Sequence, residues 1–273
     1  AFLVGHSTLR VGVMDSLDRA ASSREINKMR TLLDEGLSSG AIGFSTGLFY
    51  KPAFMAPTEE VIEIASALKS HNAKYVTHMR DEGDHVIRSL EETFQIGREA
   101  TSPVIVSHHK VHGRSNFGRS KETLACFDKH LSGHHHGIAF DVYPYIASST
   151  VLKNDSIQVA ERVLITWSKA RPELAGRELS DIAEELNCDI YEAAAQLQPA
   201  GAIYFAMSEE DVQRILKHPR AMIGSDGLPH DEHPHPRLWG TFPRVLGHYC
   251  RDLKLFPLEE AVRRMTGFSA ETF

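Results

Sequence analysis

The sequence predicts an α/β fold built around a parallel sheet. Short apolar runs alternate with longer segments whose apolar residues recur at helical spacing, and this alternation is typical of parallel strands joined by helical crossovers. The apolar runs lack a clean polar–apolar alternation, as expected for strands that are covered on both faces. The chain has 273 residues, of which 42% are apolar. This size suits one large domain, because single cores stop growing at roughly 250–300 residues.

Six apolar runs are the strand candidates. In chain order they lie near residues 1–4, 41–45, 75–77, 104–107, 138–142 and 221–224. A closed (β/α)8 barrel needs eight strands. Six strands therefore indicate either an open doubly wound sheet or the later part of a TIM-like barrel that lacks its first two units.

The segments between these runs carry helix signals. Ser22 and Glu25 form a capping-box pattern at the start of the first long helix. Thr58 is predicted to cap a second helix, whose first turn carries Glu59 and Glu60. Both carboxylates are favourable there, because the amino-terminal end of a helix is positive.

Residues 150–220 break the alternation of strand and helix. This segment is charged and its apolar spacing is mostly helical, so we predict a mainly helical insertion before the last strand, placed to cover the site as a lid. The predicted organisation is barrel units in 1–149, the insertion within the same domain in 150–220, and the last strand, an active-site loop and a helix in 221–273.

Composition excludes several classes of protein. With 30 Lys and Arg against 36 Asp and Glu, the formal charge is −6, and no basic stripe suits nucleic acid. No stretch approaches the ~18–20 apolar residues of a spanning helix, and the first residues lack the layout of a signal peptide. Cys126, Cys188 and Cys250 are odd in number and widely spaced, which argues against a disulfide framework. We therefore expect a cytoplasmic protein with neither a membrane nor a nucleic-acid partner.

Polar side chains stand where the predicted strands end. His78, His108 and Asp226 follow three different strand candidates. Because ligands bind outside the carboxyl ends of the strands in both candidate topologies, these side chains lie where a catalytic group belongs. Neutral imidazoles and a carboxylate on separate strands suit a catalytic zinc ion, which keeps one position open for water.

Each of these residues also has a structural explanation. A single His after a strand is more often a hydrogen-bonded structural residue, but two on consecutive strands followed by a terminal Asp favour a site. Asp226 could belong to an Asx turn. The Pro, His and acidic residues of 228–237 favour a functional loop instead, since a helix would not tolerate so many prolines. The His134–His136 tract looks like a metal site, but its flanking glycines favour a solvated turn.

A set of motifs in a fixed order resembles one protein family. The motifs are the segments 43–50, 77–80, 107–110, 141–145, 223–230 and 237–244. In this order and spacing the sequence resembles the D-aminoacylase, or N-acyl-D-amino-acid deacylase, family of the amidohydrolase superfamily over nearly its whole length. The resemblance implies a zinc-dependent TIM barrel. It further implies hydrolysis of the amide bond of an N-acyl-D-amino acid, a small-molecule substrate, to a carboxylate and a free D-amino acid.

The resemblance also implies a role for each matching residue at the metal. His78 and His108 match zinc-ligating histidines of the fifth and sixth barrel strands. Asp226 matches a last-strand Asp at the metal that acts first as general base and then as general acid. Zinc would polarise the amide and lower the pKa of bound water from ~16 towards ~7, and the Asp would pass the water proton to the departing amine.

Four further residues match the substrate-binding groups of the family. Lys110, Tyr143 and Arg237 match the side chains that hold the α-carboxylate, and Ser149 matches a further polar contact. A guanidinium, an ammonium and a phenol suit a carboxylate, which Arg can bind with two hydrogen bonds. Anchoring the carboxylate fixes the α-carbon. Which enantiomer is accepted then depends on where the side chain fits.

The sequence also departs from the family pattern. The family's first strand carries a His-x-His pair and its second strand a Cys ligand, whereas this sequence begins at what resembles the third strand. It stops where the family continues into a small β-sandwich. We therefore expect strands resembling the third to the eighth, a missing amino-terminal part, and open sheet edges that favour self-association.

Two alternatives follow from this departure and from the superfamily. The first is a catalytically silent truncated barrel that needs the missing part. The second is a cyclic-amide hydrolase of the same superfamily. It is disfavoured because many of those enzymes use a carboxylated Lys to bridge two metals, whereas Lys110 matches a carboxylate-binding position.

Overall fold

Two sheets organise the fold, one parallel with six strands and one antiparallel with three. The computed structural model describes residues 2–132 and 137–273. The strands are β1 (Leu3–Gly5), β2 (Gly43–Gly47), β3 (Lys74–His78), β4 (Val104–Val106), β5 (Ile138–Val142), β6 (Ala147–Val151), β7 (Arg162–Ser168), β8 (Ala200–Phe205) and β9 (Ala221–Ile223). The helices are α1 (His6–Val13), α2 (Ser23–Ser38), α3 (Lys51–Phe54), α4 (Thr58–Ala65), α5 (Leu68–His71), α6 (Val86–Ala100), α7 (Ser120–Leu131), α8 (Asn154–Val159), α9 (Leu179–Glu185), α10 (Ile190–Leu197), α11 (Glu209–Lys217), α12 (Arg237–Arg244), α13 (Leu258–Met265) and α14 (Gly267–Thr272). A π-helical segment, Val245–Asp252, follows α12.

The parallel sheet contains all six predicted strands. Its order is β1-β2-β3-β4-β5-β9, and every neighbouring pair is parallel. Strands therefore follow one another across the sheet in chain order. In the described residues this order lacks the reversal that defines a doubly wound sheet.

Alternate residues of these strands face two separate cores. Tyr75, Val106 and Phe140 point towards the helices and belong to the large apolar cluster of the molecule. Val76 and Ile105 point the other way, into a smaller cluster that includes a side chain of α14. Both faces of the sheet are thus covered, which explains why the strands read as apolar runs.

The first long helix begins as predicted. Ser22 Oγ accepts a hydrogen bond from the Glu25 backbone N–H, and Glu25 Oε2 accepts one from the Ser22 N–H, which completes the capping box. The prediction that Thr58 caps α4 is wrong. Thr58 is the first helical residue after an extended Pro57, and its hydroxyl donates instead to Glu92 Oε1 of α6 at 2.8 Å.

The prediction of a mainly helical insertion needs correction. Helices α8 to α11 are present, but β6, β7 and β8 of the same region pair into an antiparallel sheet. This sheet and helices α9 and α10 share an apolar cluster of their own. The strand signal was weak, because β6 is largely polar and β8 contains small residues such as Ala200 and Gly201.

Two further expectations concern particular segments. No helix in the described ranges is long and apolar enough to cross a membrane. The His134–His136 tract, for which a solvated turn was expected, lies outside the described residues.

Candidate active site

A cavity of about 420 Å³ lies beside the residues that follow β2, β3, β4, β5 and β9. Every site residue predicted from the sequence lines it: His78, His108, Lys110, Tyr143, Ser149, Asp226 and Arg237. Residues of α8 and of the loop after β3 complete the wall. The sequence thus points to one shared cavity, although these residues are spread over most of the chain.

Two imidazoles converge at the floor of this cavity. His78 is the last residue of β3, and His108 lies two residues beyond the neighbouring strand β4. His78 Nδ1 and His108 Nε2 are 2.9 Å apart. His108 has a φ of 40°, a left-handed conformation that residues with a Cβ rarely adopt. The backbone is therefore held in an unusual shape at the point where the second imidazole enters the site.

Asp141 of β5 holds that backbone in place. The His108 N–H donates to Asp141 Oδ1 at 2.9 Å, and the His109 N–H donates to the Asp141 carbonyl at 2.7 Å. A Cβ on Gly224 of the segment after β9 would lie 2.7 Å from Asp141 Oδ1, so the carboxylate is packed tightly between strands. Burial raises the pKa of Asp141. The sequence analysis placed Asp141 within a motif but gave it no role in the site.

Aromatic rings cover the first imidazole. The rings of Phe49 and Tyr50, which follow β2, lie 5.5 and 4.8 Å from the ring of His78. Burial lowers the pKa of His78 to about 3. The imidazole is therefore neutral at pH 7, which leaves a nitrogen lone pair to act as a ligand or an acceptor.

Glu82 is a site residue that the sequence analysis missed. Glu82 Oε1 lies 3.1 Å from His108 Nδ1 and accepts a hydrogen bond from Lys110 Nζ at 2.7 Å. Burial alone would raise the pKa of this carboxyl, but the charge of Lys110 and the two imidazoles hold it well below its ordinary value. Its position four residues after His78 was the available signal, because both belong to the same strand end.

The groups next to His108 affect which of its ring nitrogens is free to bind a metal ion. Two groups face Nδ1 of His108: Glu82 Oε1 at 3.1 Å can accept from an Nδ1–H, and Lys110 Nζ at 2.7 Å can donate to an Nδ1 lone pair. When the proton is on Nδ1, Nε2 of His108 carries the free lone pair and faces His78. Histidine ligands of metals are commonly oriented by a carboxylate in this way. The ligand atoms of His78, Glu82 and His108 all lie within 4.8 Å of one another. Two imidazoles and a carboxylate fit the donor preference of zinc.

A second part of the lining, here called the cationic wall, is cationic and aromatic. The Arg237 guanidinium lies 4.6 Å from the centre of the Tyr143 ring, and Lys110 Nζ lies 5.5 Å from it. Both Arg237 and Tyr143 are buried. Among the described residues, Tyr143 Oη and Arg237 Nε have no hydrogen-bond partner. Buried polar atoms without partners are costly, so these two donors are suited to an acceptor brought by a ligand.

Asp226 joins this cationic wall rather than the imidazole pair. Its Oδ2 lies 2.8 Å from Arg237 Nη1, and about a third of its side chain is exposed. In the described part of the chain, its carboxylate does not belong to the close group of His78, Glu82 and His108. The φ of Asp226 is 47°, and Asp tolerates this left-handed shape better than most residues.

Ser149 contributes mainly its backbone. Its carbonyl accepts a hydrogen bond from Arg237 Nη2 at 3.2 Å, and its hydroxyl donates to the Ala202 carbonyl at 3.3 Å. Ser149 lies in β6, so the antiparallel sheet positions the guanidinium of Arg237. This coupling explains why the insertion matters to the cavity.

The cysteines stay away from the two imidazoles. Cys126 is buried in α7, Cys188 follows α9, and Cys250 lies in the π-helical segment. None of the three lines the cavity. The three thiols therefore lie away from the strand ends that line the cavity.

Comparison with known proteins places this cavity in context. No family model matches the sequence. The chain is 58% identical over 273 residues to a D-aminoacylase of Alcaligenes xylosoxydans xylosoxydans. This identity confirms the resemblance to the D-aminoacylase family that the motifs indicated. The match includes all of this chain but 56% of the relative, so the chain spans about half the length of the curated relatives that it matches.

Two further deacylases are also similar to this chain. An N-acyl-D-aspartate deacylase of the same organism is 49% identical over 272 residues, which are 99% of this chain and 54% of that protein. A crystal structure of an N-acyl-D-glutamate deacylase from Bordetella bronchiseptica, complexed with zinc and a phosphonate inhibitor, superposes with a TM-score of 0.96 at 44% identity. It covers 99% of this chain and 57% of that chain. The phosphonate is described as a mimic of the tetrahedral intermediate of that enzyme.

The loop before α12 supplies a pH-dependent element. His235 Nδ1 accepts a hydrogen bond from the Arg237 N–H at 2.9 Å, and its ring lies 5.1 Å from that of Tyr145. Burial, reinforced by the charge of Arg237, lowers the pKa of His235 to about 3, although a hydrogen bond to the Ala147 backbone opposes this. The imidazole is therefore neutral in the folded state across the neutral and mildly acidic range.

We expect His235 to make the fold less stable in acid. The unfolded chain binds a proton at this residue near pH 6.5, whereas the folded chain does not. The free energy of unfolding therefore decreases as pH falls from about 6.5 towards 3. Between pH 7 and pH 5 the loss is about 2 kcal/mol. Urea titrations at both pH values should show a smaller pH dependence in His235→Gln. The exposed His230→Gln variant of the same loop should match the parent, and an unchanged dependence in His235→Gln would contradict this expectation.

Proposed function

We propose that this chain forms the later units of a zinc-dependent barrel enzyme that hydrolyses N-acyl-D-amino acids to a carboxylate and a free D-amino acid. The observation that carries the proposal is the pair of buried, unpartnered donors, Tyr143 Oη and Arg237 Nε, in the described wall of the cavity. The imidazoles of His78 and His108 line the same cavity. A cavity with a carboxylate-binding wall and a metal-binding floor suits a substrate that carries both a carboxylate and an amide.

The cationic wall is the anchor for the substrate carboxylate. Arg237 Nε and Tyr143 Oη would donate to the carboxylate oxygens, and Lys110 would add a positive charge from 5.5 Å above the same ring. Ser149 holds Arg237 through its carbonyl. Anchoring the carboxylate fixes the α-carbon, so the side chain and the acyl group take different directions. The shape of the cavity then selects the D-enantiomer, because it determines which direction the side chain can take.

Asp226 is the proton carrier of the reaction. It would take the proton of the attacking water and pass it to the amide nitrogen, which must leave as an amine. The neighbouring Arg237, 2.8 Å away, orients the carboxylate before it accepts the proton. His78 and His108 would hold zinc, with Asp226 as a further ligand. When bound, zinc polarises the amide carbonyl and acidifies the water.

The strand order supports the third to eighth units of a (β/α)8 barrel. Six parallel strands follow one another in chain order, and their second face carries its own small apolar cluster. In this proposal residues 1–149 and 221–273 are barrel units. Residues 150–220 cover the site from the same domain, because Thr150, Asp155 and Ser156 line the cavity. The cytoplasmic setting stays a prediction from composition.

One observation favours a second candidate, a catalytically silent barrel. The nitrogens of His78 and His108 lie at hydrogen-bond distance from each other, and Asp226 is paired with Arg237. In this candidate the two imidazoles pair with each other and Asp226 pairs with Arg237. The chain then binds an N-acyl-D-amino acid without cleaving it. Binding and turnover must therefore be measured separately.

We expect Arg237→Lys to weaken the binding of N-acetyl-D-leucine about 10- to 100-fold, because hydrogen bonds to a charged group contribute about 1.5–3 kcal/mol. Lys keeps the charge but lacks the planar pair of N–H donors that binds a carboxylate with two parallel hydrogen bonds. Isothermal titration calorimetry with zinc present measures the affinity.

The matched control is Arg244→Lys on the same helix. The Arg244 side chain donates to the Pro144 carbonyl and does not line the cavity, so this variant should bind like the parent. Equal affinity of the Arg237→Lys variant, or tighter binding of N-acetyl-L-leucine by the parent, would count against the proposed function.

A further inference from the structure

We propose a second transition-metal site, for Zn²⁺ or a similar divalent ion, formed by Glu91, Cys126 and His130 where helices α6 and α7 pack together. None of the three residues lines the cavity described above. The ligand atoms of these side chains all lie within 4.8 Å of one another. The proposal is independent of the proposed hydrolytic function.

Helix geometry brings the three donors to one place. Cys126 and His130 are four residues apart on α7, so their side chains point from the same face of the helix. Glu91 comes from α6. Its Oε1 lies 3.8 Å from Cys126 Sγ, and its Oε2 lies 2.8 Å from His130 Nε2. A carboxylate, a thiol and an imidazole therefore already face one another.

Packing restricts two of the three donors. The ring of His130 lies 4.7 Å from that of Phe94, and Cys126 is buried. The imidazole and the sulfur thus have little freedom, so less conformational entropy is lost when an ion binds. The Glu91 side chain is 42% exposed, which gives an ion and its water access from solvent.

A competing cation occupies part of this position. Lys129 Nζ lies 3.0 Å from Glu91 Oε1, but its own side chain is 69% exposed and free to move into solvent. Arg98 Nη1 lies 3.4 Å from His130 Nδ1. Lys129 and an ion at the three donors would compete for the same carboxylate oxygen. Removing Lys129 should therefore strengthen metal binding, whereas a purely structural ion pair predicts no such gain.

The donor set selects the class of ion. A thiolate, an imidazole and a carboxylate are ligands that Zn²⁺ and Co²⁺ accept in tetrahedral sites, with water in the fourth position. Binding would form a metal–sulfur bond and release the Cys126 proton to solvent. Because the ion displaces that proton, affinity should increase with pH.

Titration of the purified chain with Co²⁺ tests the site. Among the described donors, the imidazole pair of the cavity has no thiol next to it, so thiolate-to-cobalt charge-transfer absorption reports a cysteine site. We expect this absorption in the parent, its loss in Cys126→Ser, and at least tenfold weaker binding in His130→Gln. Zn²⁺ should displace the Co²⁺ and abolish the signal.

Control variants keep the test decisive. Cys188→Ser and His78→Gln should retain the signal, and Lys129→Ala should bind Co²⁺ more tightly than the parent. Circular dichroism would show whether Cys126→Ser is folded, and the His130→Gln variant gives a second reading if it is not. Absence of charge-transfer absorption in the parent at a hundredfold excess of Co²⁺, or a signal that survives in folded Cys126→Ser, would overturn the proposal.

Discussion

Replacing Asp226 with Asn should lower the rate of D-amino-acid release about 10²- to 10⁴-fold, the range that general acid–base catalysis contributes. The amide cannot accept the proton of the attacking water or return it to the amine. Asn also tolerates the left-handed backbone at this position, so the loop should keep its shape. Steady-state assays with N-acetyl-D-leucine and zinc would measure the effect, which should fall mainly on kcat.

Glu232→Gln is the matched control for this substitution. Glu232 is an exposed acidic residue of the same loop, and its variant should retain the activity of the parent. If Asp226→Asn kept more than a tenth of the parent kcat, the role of Asp226 as proton carrier would have to be abandoned.

The second large effect concerns stability. Glu60 of α4 is buried against His6 and Arg10 of α1, and it also accepts a hydrogen bond from the Ala21 N–H at 2.9 Å. Replacing Glu60 with Gln leaves the Arg10 guanidinium buried without a counter-charge. Breaking a buried pair in this way costs about 3–5 kcal/mol. Urea titration followed by circular dichroism should show this loss of unfolding free energy.

Two further variants separate charge from packing. Glu63→Gln changes an exposed residue of the same helix, and its effect should stay within about 0.5 kcal/mol. The double variant Glu60→Gln with Arg10→Met removes both charges, so it should recover part of the loss. A double variant as unstable as the sum of the single variants would contradict a charge-based explanation.

Sequence patterns correctly predicted the strands and helix ends that depend on interactions between residues close together in the chain. The apolar runs located β1 to β5 and β9, and the Ser22–Glu25 pattern located the start of α2, because strand burial and helix capping act over a few residues. The Thr58 prediction failed because the hydroxyl has a partner on α6, 34 residues away. Tertiary contacts of this kind leave no signal in a local pattern.

The difference between local patterns and tertiary contacts also applies to the candidate site. The resemblance to a family pointed to seven cavity residues, but not to Glu82, Asp141 or Tyr50, which act on His78 and His108 through contacts between strands. The antiparallel sheet was missed for a similar reason. Polar β6 acquires its strand structure by pairing with β8, about fifty residues later in the chain.

The most direct test is to determine the configuration of the free amino acid that is released. The purified chain would be incubated with zinc and racemic N-acetyl-leucine, and the free leucine would be resolved by chiral chromatography. The account predicts release of D-leucine alone, abolished by a zinc chelator and by Asp226→Asn. Release of L-leucine, or of both enantiomers at equal rates, would contradict it. Binding of N-acetyl-D-leucine without any release would instead identify the silent barrel.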